Sequence, residues 1–290
     1  DLDRACLATG VTTAVDAGTA GRCIWPAMRR QVLEASRMRV KAFILISGMG
    51  MLTDALGESV DLRWLDVGAC VALARDYPQH IVGVKVRQDK ARVGESGMEP
   101  LRRALAAAEL LGLPVMVHVG NTPAPLDELA AMLRPGDIVT HTFHGWRHGA
   151  LDDCGRVLAG LREAQRRGVL FDVGHGAGSF SFAVMEACLE QGFMPNTISS
   201  DLHVYSEHGP VYDLPTTMAK FLDLGLTLDE VVRRVTVDAA RAVRLDGEAG
   251  SLAPGRKADV TVLEEVEGRF RFEDCFQSRR IPERTLVPRW

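Results

Sequence analysis

Several classes of function are closed off by what the chain does not contain. Lysine and arginine total 34 against 38 aspartates and glutamates, for a formal charge of −4. The arginines are scattered, so no basic stripe exists to track a phosphate backbone, and no nucleic-acid partner is expected. No apolar run reaches the roughly 18 residues that a membrane span needs, and no signal-peptide pattern is present. No membrane partner is therefore expected, and a cytoplasmic location is. The six cysteines, Cys6, Cys23, Cys70, Cys154, Cys188 and Cys275, lie far apart without a CxxC pair. They give no support to a zinc knuckle or a disulfide framework and read as reduced, small hydrophobes. No GxGxxG follows the first apolar run and no GxxxxGK[ST] occurs, so the phosphate-cradling loops of nucleotide-binding open sheets are missing.

With 47% hydrophobic and 25% charged residues in a length of 290, the composition suits one large α/β domain or two smaller ones. Seven β-rich runs are expected as strands: Val11–Asp16, Val40–Ile46, Ile81–Val86, Val115–Val119, Ile138–Thr140, Val169–Val173 and Thr197–Ser200. Helical stretches separate them, among them Met98–Leu111, Leu126–Leu133, Leu151–Arg167, Phe180–Gln191, Thr216–Leu224 and Leu228–Val243. Such alternation argues for a parallel sheet covered by helices. A (βα)₈ barrel needs eight strands, so the expectation is a TIM-type barrel over residues 1–249 whose first strand lies before Asp1. A doubly wound open sheet is the alternative. From Gly250 the texture changes to turn residues and a β-rich run at Asp259–Leu263, and residues 250–290 are expected to form part of a small β-sandwich.

The run Ile81–Arg87 puts Val82, Val84 and Val86 on one face and Gly83, Lys85 and Arg87 on the other. A lysine buried there is costly unless its charge is paired or removed; an ion pair with a nearby carboxylate is the plainer explanation. Its company points elsewhere. Lys85, His118, His141, His175 and Asp201 all fall at the C-terminal ends of successive strands, where the active site of an α/β barrel lies. In its run, His118 shares a face with Met116 and Gly120, and His141 is expected on the face opposite Ile138 and Thr140. His80, His144, His148 and His208 sit in turns or loops, with His144 a candidate to line the pocket.

The order Lys, His, His, Asp, together with the segment LAPGRKADVTVLE and the strings VDAGTAG, FDVGHGAGSFSF and SSDLHVYSEHGPVYDLPTTMAKF, resembles the amidohydrolase superfamily. Within it, the chain is similar to the dihydroorotase-like, adenine-deaminase-like and deacetylase members. The resemblance implies a (βα)₈ barrel holding two divalent ions, usually zinc, and a flanking β-sandwich built from both chain ends. It implies that Lys85 is the carboxylated bridging lysine, that His118 and His141 bind the more exposed ion, and that Asp201 binds the buried ion and accepts a proton. The family's opening His-x-His has no counterpart here, so it is expected on a strand upstream of Asp1. Thr236–Ala240 also lacks the family's Asn-Pro. Carbon dioxide added to a neutral lysine gives a carbamate, an anionic two-oxygen bridge between cations. Imidazole suits zinc, and a metal-bound water with its pKa near 7 supplies hydroxide. His175, Arg87 and His203 are expected to bind the substrate, the first two as orienters of a carboxylate or of the developing oxyanion. The expected activity is hydrolysis of an amide or ester in a small acylated substrate. Cyclic-amide hydrolysis, aminopurine deamination and a metal-poor pseudoenzyme are the alternatives, and self-assembly is left open.

Overall fold

The computed structural model describes residues 1–53 and 55–289. Six parallel strands pair side by side in chain order: β1 (Thr13–Asp16), β2 (Arg39–Leu45), β3 (Ile81–Arg87), β4 (Val115–His118), β5 (Ile138–Thr140) and β6 (Leu170–Phe171). Their Val- and Ile-rich sequences suit strands that are buried on both faces, as parallel strands in α/β folds are. All seven residues of β3 are buried, Lys85 and Arg87 included. The expected seventh strand is reduced to an extended segment. Asp172 and Thr197 make one parallel bridge, after which Val173, His175 and Gly176 donate backbone hydrogen bonds to Thr197, Ser199 and Ser200 at 3.2, 3.1 and 3.0 Å. Left-handed backbone at Gly174, Gly176 and Asp201, with φ of 51°, 53° and 45°, ends regular strand geometry on both sides of this seam.

The register stacks the interior in layers. Lys85 pairs with Met116 and Arg87 with His118; Met116 then pairs with Ile138 and His118 with Thr140; Ile138 pairs with Leu170. The lower layer is apolar: Phe43, Val82 and Ile138 cluster with Val15, Met116 and Leu170, and Ala240, Val243 and Leu245 close it from below. The layer above it carries Arg87, His118 and Thr140. Apolar residues therefore fill the N-terminal end of the sheet, and polar ones collect at the C-terminal end.

Helices cover the outside for reasons written in their ends. Glu99–Leu111 starts with Pro100 in its first turn and stops at left-handed Gly112; it buries Leu101, Ala104 and Ala108 at helical spacing. Leu228–Val235 opens on a capping box between Thr227 and Glu230. The expected continuous helix Leu228–Val243 breaks at Thr236, whose ψ of −92° is not helical, and resumes as Val237–Ala242. The helix expected from Leu151 begins only at Ala159, because Asp152 turns the preceding chain by accepting from Cys154 and Arg156. In the tail, the pairing lies later than expected: β7 (Leu263–Glu267) runs antiparallel to β10 (Arg284–Pro288), and β8 (Phe272–Glu273) to β9 (Arg279–Arg280). Asp259–Leu263 is mostly exposed irregular chain. Phe272 and Leu286 are buried in the main core, and Asp274 accepts the Phe182 N–H at 3.0 Å, so the tail lies along the barrel helices. No helix among the described residues is long and apolar enough to cross a membrane.

Candidate active site

Lys85 is 3% exposed, and no hydrogen bond or ion pair to its ammonium occurs among the described residues. Burial pushes its pKa down to about 8, with the charge of Asp201 as the main counterweight. An appreciable share of this amine is therefore neutral near physiological pH, unlike an ordinary lysine. Arg87, the next residue on the same face, is met by the buried Glu58 at 3.3 Å.

His118 and His141 face each other edge-on with ring centroids 4.4 Å apart. Desolvation pushes the pKa of both down, reinforced at His118 by the charge of His141 and opposed at His141 chiefly by Asp201; two neutral imidazoles result. Their routes into the site differ from expectation. Ile138 and Thr140, not their opposite-face neighbours, point inward: Ile138 packs in the interior layer, and the Thr140 hydroxyl donates to Asp172 at 2.7 Å. Strand alternation alone would turn His141 outward. Its left-handed backbone, φ 68°, brings the ring back in, a conformation uncommon outside glycine and concentrated at functional sites. His141 Nδ1–H donates to the Gly174 carbonyl at 2.6 Å, which leaves the Nε2 lone pair free. A Cβ at Gly174 would sit 2.3 Å from Thr140 Oγ1 and 2.7 Å from His141 Nδ1, and one at Gly176 would sit 2.6 Å from Asp201 Oδ2. Both positions suit glycine because Thr140 and His141 pack on Gly174, and Asp201 on Gly176.

The remaining expected residues are placed unequally. His175 is fully buried, stacked on Phe180 at 4.6 Å, with Nδ1 on the Gly176 carbonyl at 3.0 Å. Its Nε2 accepts from Lys220 at 2.7 Å. Lys220 also donates to the carbonyls of Pro210 and Glu273, at 2.6 and 2.8 Å. All three ammonium protons are thereby used, and burial beside Lys220 holds the His175 pKa down at about 3. His203 is exposed in the loop past Asp201, edge-on to Tyr205 with centroids 5.8 Å apart. His144 is not in the row; it lines a separate cavity of about 430 Å³ with Leu126, Trp146 and His148. Two carboxylates escaped the sequence reading. Asp172 is 4% exposed and accepts from three hydroxyls. Asp16, at the end of β1, accepts from the Thr19 hydroxyl at 2.6 Å and from the Gly18 and Thr19 N–H groups. Burial raises its pKa, partly opposed by these bonds. The only signal available beforehand was that each ends a β-rich run in a small-residue string.

The residues fit a divalent cation in part. Two neutral imidazoles and a carboxylate are the right donors for zinc, and a carboxylated Lys85 would add a further oxygen donor. No three His, Cys, Asp or Glu side chains among the described residues converge closely enough to hold an ion unaided. His118 and His141 thus offer two neutral imidazoles close together, and a further donor would have to come from elsewhere, such as Lys85 or Asp201.

The parallel α/β sheet carries this row of polar residues at its C-terminal rim, where the active sites of α/β barrels lie. The chain belongs to the amidohydrolase superfamily, whose family model matches residues 175–277; members generally use divalent metal. A deacetylase of Agrobacterium fabrum is 36% identical over 282 residues, covering 97% of this chain and 69% of its own length. A solved adenine deaminase superposes with TM-score 0.95 at 31% identity, covering 99% of this chain and 78% of that one. A solved dihydroorotase gives 0.92 at 36% identity, covering 99% and 76%. The chain is a hydrolytic enzyme.

Proposed function

We propose that the protein is a zinc-dependent deacylase that removes an acetyl or similar short acyl group, as amide or ester, from a small substrate. The observation that carries this reading is the pair of desolvated imidazoles, 4.4 Å apart, beside a buried lysine whose pKa burial lowers to about 8. Likeness to the Agrobacterium deacetylase along nearly the whole chain supports the acyl specificity. In this reading His118 and His141 would hold the ion through Nε2, and a carboxylated Lys85 and the Asp201 carboxylate would supply the oxygen donors. When bound, the metal supplies Lewis acidity for the acyl carbonyl and acidifies a water. The other oxygen of Asp201 takes the proton of the attacking water and returns it to the departing nitrogen or oxygen. Gly174 and Gly176 hold His141 and Asp201 in the orientations these tasks need.

Arg87, paired with Glu58, and exposed His203 serve substrate recognition. His175, with both nitrogens engaged inside the chain, serves to hold the rim. Six unpaired cysteines support a reducing compartment, the cytoplasm. A second reading, cyclic-amide hydrolysis or aminopurine deamination, is favoured by the likeness to the solved dihydroorotase and adenine deaminase.

Metal analysis of the full chain, followed by a panel of N-acetyl and O-acetyl acids, dihydroorotate and adenine, tests the proposal. Zinc with turnover of acetylated acids that is lost to a chelator and restored by zinc is the expected result. Turnover confined to dihydroorotate or adenine selects the second reading, and protein without metal or turnover rejects both.

A further inference from the structure

We propose that Asp172 and Ser199 form a positioning relay that sets the ring of His141, an inference that rests on His141 being a metal ligand. Asp172 lies at the end of β6, 4% exposed. Its Oδ1 accepts from Thr197 Oγ1 at 2.6 Å; its Oδ2 accepts from Thr140 Oγ1 and from Ser199 Oγ, each at 2.7 Å. An ionised carboxylate only accepts, so every hydroxyl around it has to donate. That fixes the Ser199 hydroxyl. With its single proton spent on Asp172, it presents lone pairs to the other side, and the Gly174 N–H donates into them at 3.1 Å. The next peptide is held by the same residue, because the His175 N–H donates to the Ser199 carbonyl at 3.1 Å. Ser199 thus pins both peptide planes that meet at Gly174. The carbonyl on the second plane is the one that receives His141 Nδ1–H, at 2.6 Å.

Each link of the chain has one possible direction. The carboxylate orients the hydroxyl, the hydroxyl holds the peptide on the N-terminal side of Gly174, the Ser199 carbonyl holds the one on its C-terminal side, and the Gly174 carbonyl so placed selects the Nδ1–H tautomer of His141, leaving Nε2 as the ligand atom. Groups that orient a metal-binding imidazole through its other nitrogen tune its affinity; here the orienting charge lies two groups further back. A stitch between strands would be the simpler role for a buried carboxylate, and Thr197 supplies the control. It bonds the same carboxylate but lies off the path to His141.

The test uses the full chain at pH 7.5, with two readouts. One is zinc affinity by competition with a chromophoric chelator; the other is the tautomer of His141 by long-range ¹H–¹⁵N correlation on metal-free protein. Ser199→Ala is expected to weaken zinc binding by about 10–100-fold and to lower the Nδ1–H population of His141, while Ser199→Thr, which keeps the hydroxyl, restores both. Asp172→Asn is expected to weaken binding, and the double variant to be no weaker than the worse single one, because both break one chain. Thr197→Val is expected to lower Tm but to keep zinc affinity within about threefold, since its hydroxyl bonds Asp172 Oδ1, the oxygen that does not face Ser199, and the Asp172–Ser199–Gly174 links survive its loss. The relay is overturned if Ser199→Ala keeps wild-type affinity and tautomer, if the two losses multiply, or if Thr197→Val costs as much affinity as Ser199→Ala. Wild-type protein that takes up no zinc, yet shows the tautomer shift in Ser199→Ala, would reject the deacylase reading and leave the relay standing.

Discussion

Lys85 makes the metal-free protein pay for its site, and the cost is measurable. Its pKa falls from 10.5 in an ordinary setting to about 8 in the fold, chiefly through burial. Between those two values the unfolded chain binds more protons than the native one, so unfolding free energy rises with pH through that window. Below pH 8 the full penalty is present, about 3 kcal/mol for a displacement of about two and a half pH units. Lys85→Met keeps the length and the apolar stem but not the charge. The metal-free variant is therefore expected to be about 3 kcal/mol more stable than wild type at pH 7, with the difference shrinking toward zero as pH approaches 10.5. Lys220, also held near 8, titrates in both proteins and drops out of the comparison. Urea unfolding of both metal-stripped proteins at pH 7 and pH 10 reads the difference directly. A variant no more stable than wild type at pH 7, or a gain that does not change with pH, would refute the reasoning.

Lys220→Met should act in the opposite direction despite the similar pKa, because it strands His175 Nε2 and the carbonyls of Pro210 and Glu273; a loss of about 3 kcal/mol or more is expected as a lowered Tm. Asp201→Asn should keep the circular-dichroism spectrum of wild type while kcat falls by about 10² or more, and activity within a few-fold of wild type would remove Asp201 from proton transfer. Gly174→Ala should abolish tight zinc binding and lower stability by about 1–3 kcal/mol, since the new methyl would sit 2.3 Å from Thr140 Oγ1 at a φ of 51°; retained affinity in a chelator competition would count against the packing argument.

The parts of the fold written in single segments were readable from sequence. The β-branched run Ile81–Arg87 is a strand over those same residues, and Pro100 and Gly112 bound their helix as their types dictate. The errors fall where backbone leaves the regular regions or where partners come from distant chain. Alternation cannot reveal that His141 adopts a φ of 68°, so its inward position was anticipated for the wrong reason, with Ile138 and Thr140 assigned to the wrong face. Asp172 was invisible because its role depends on hydroxyls from Thr140, Thr197 and Ser199, which no local pattern brings together. Nothing in the segment around His175 signals that Lys220, 45 positions later, occupies its Nε2.

That long-range clamp also orders events in time. Lys220 reaches its third acceptor only when Glu273 exists, and the Phe182 N–H finds its carboxylate only with Asp274. At a synthesis rate of about 5–20 residues per second, roughly 5–20 s pass on the ribosome between the appearance of His175 and that of Glu273. During that interval the remaining helices, through Val237–Ala242, are made and can cover strands already present, while the wall behind His175 waits for its last carbonyl. His175, at the C-terminal end of the sheet, is thus clamped in full only after the strands beneath it have been made.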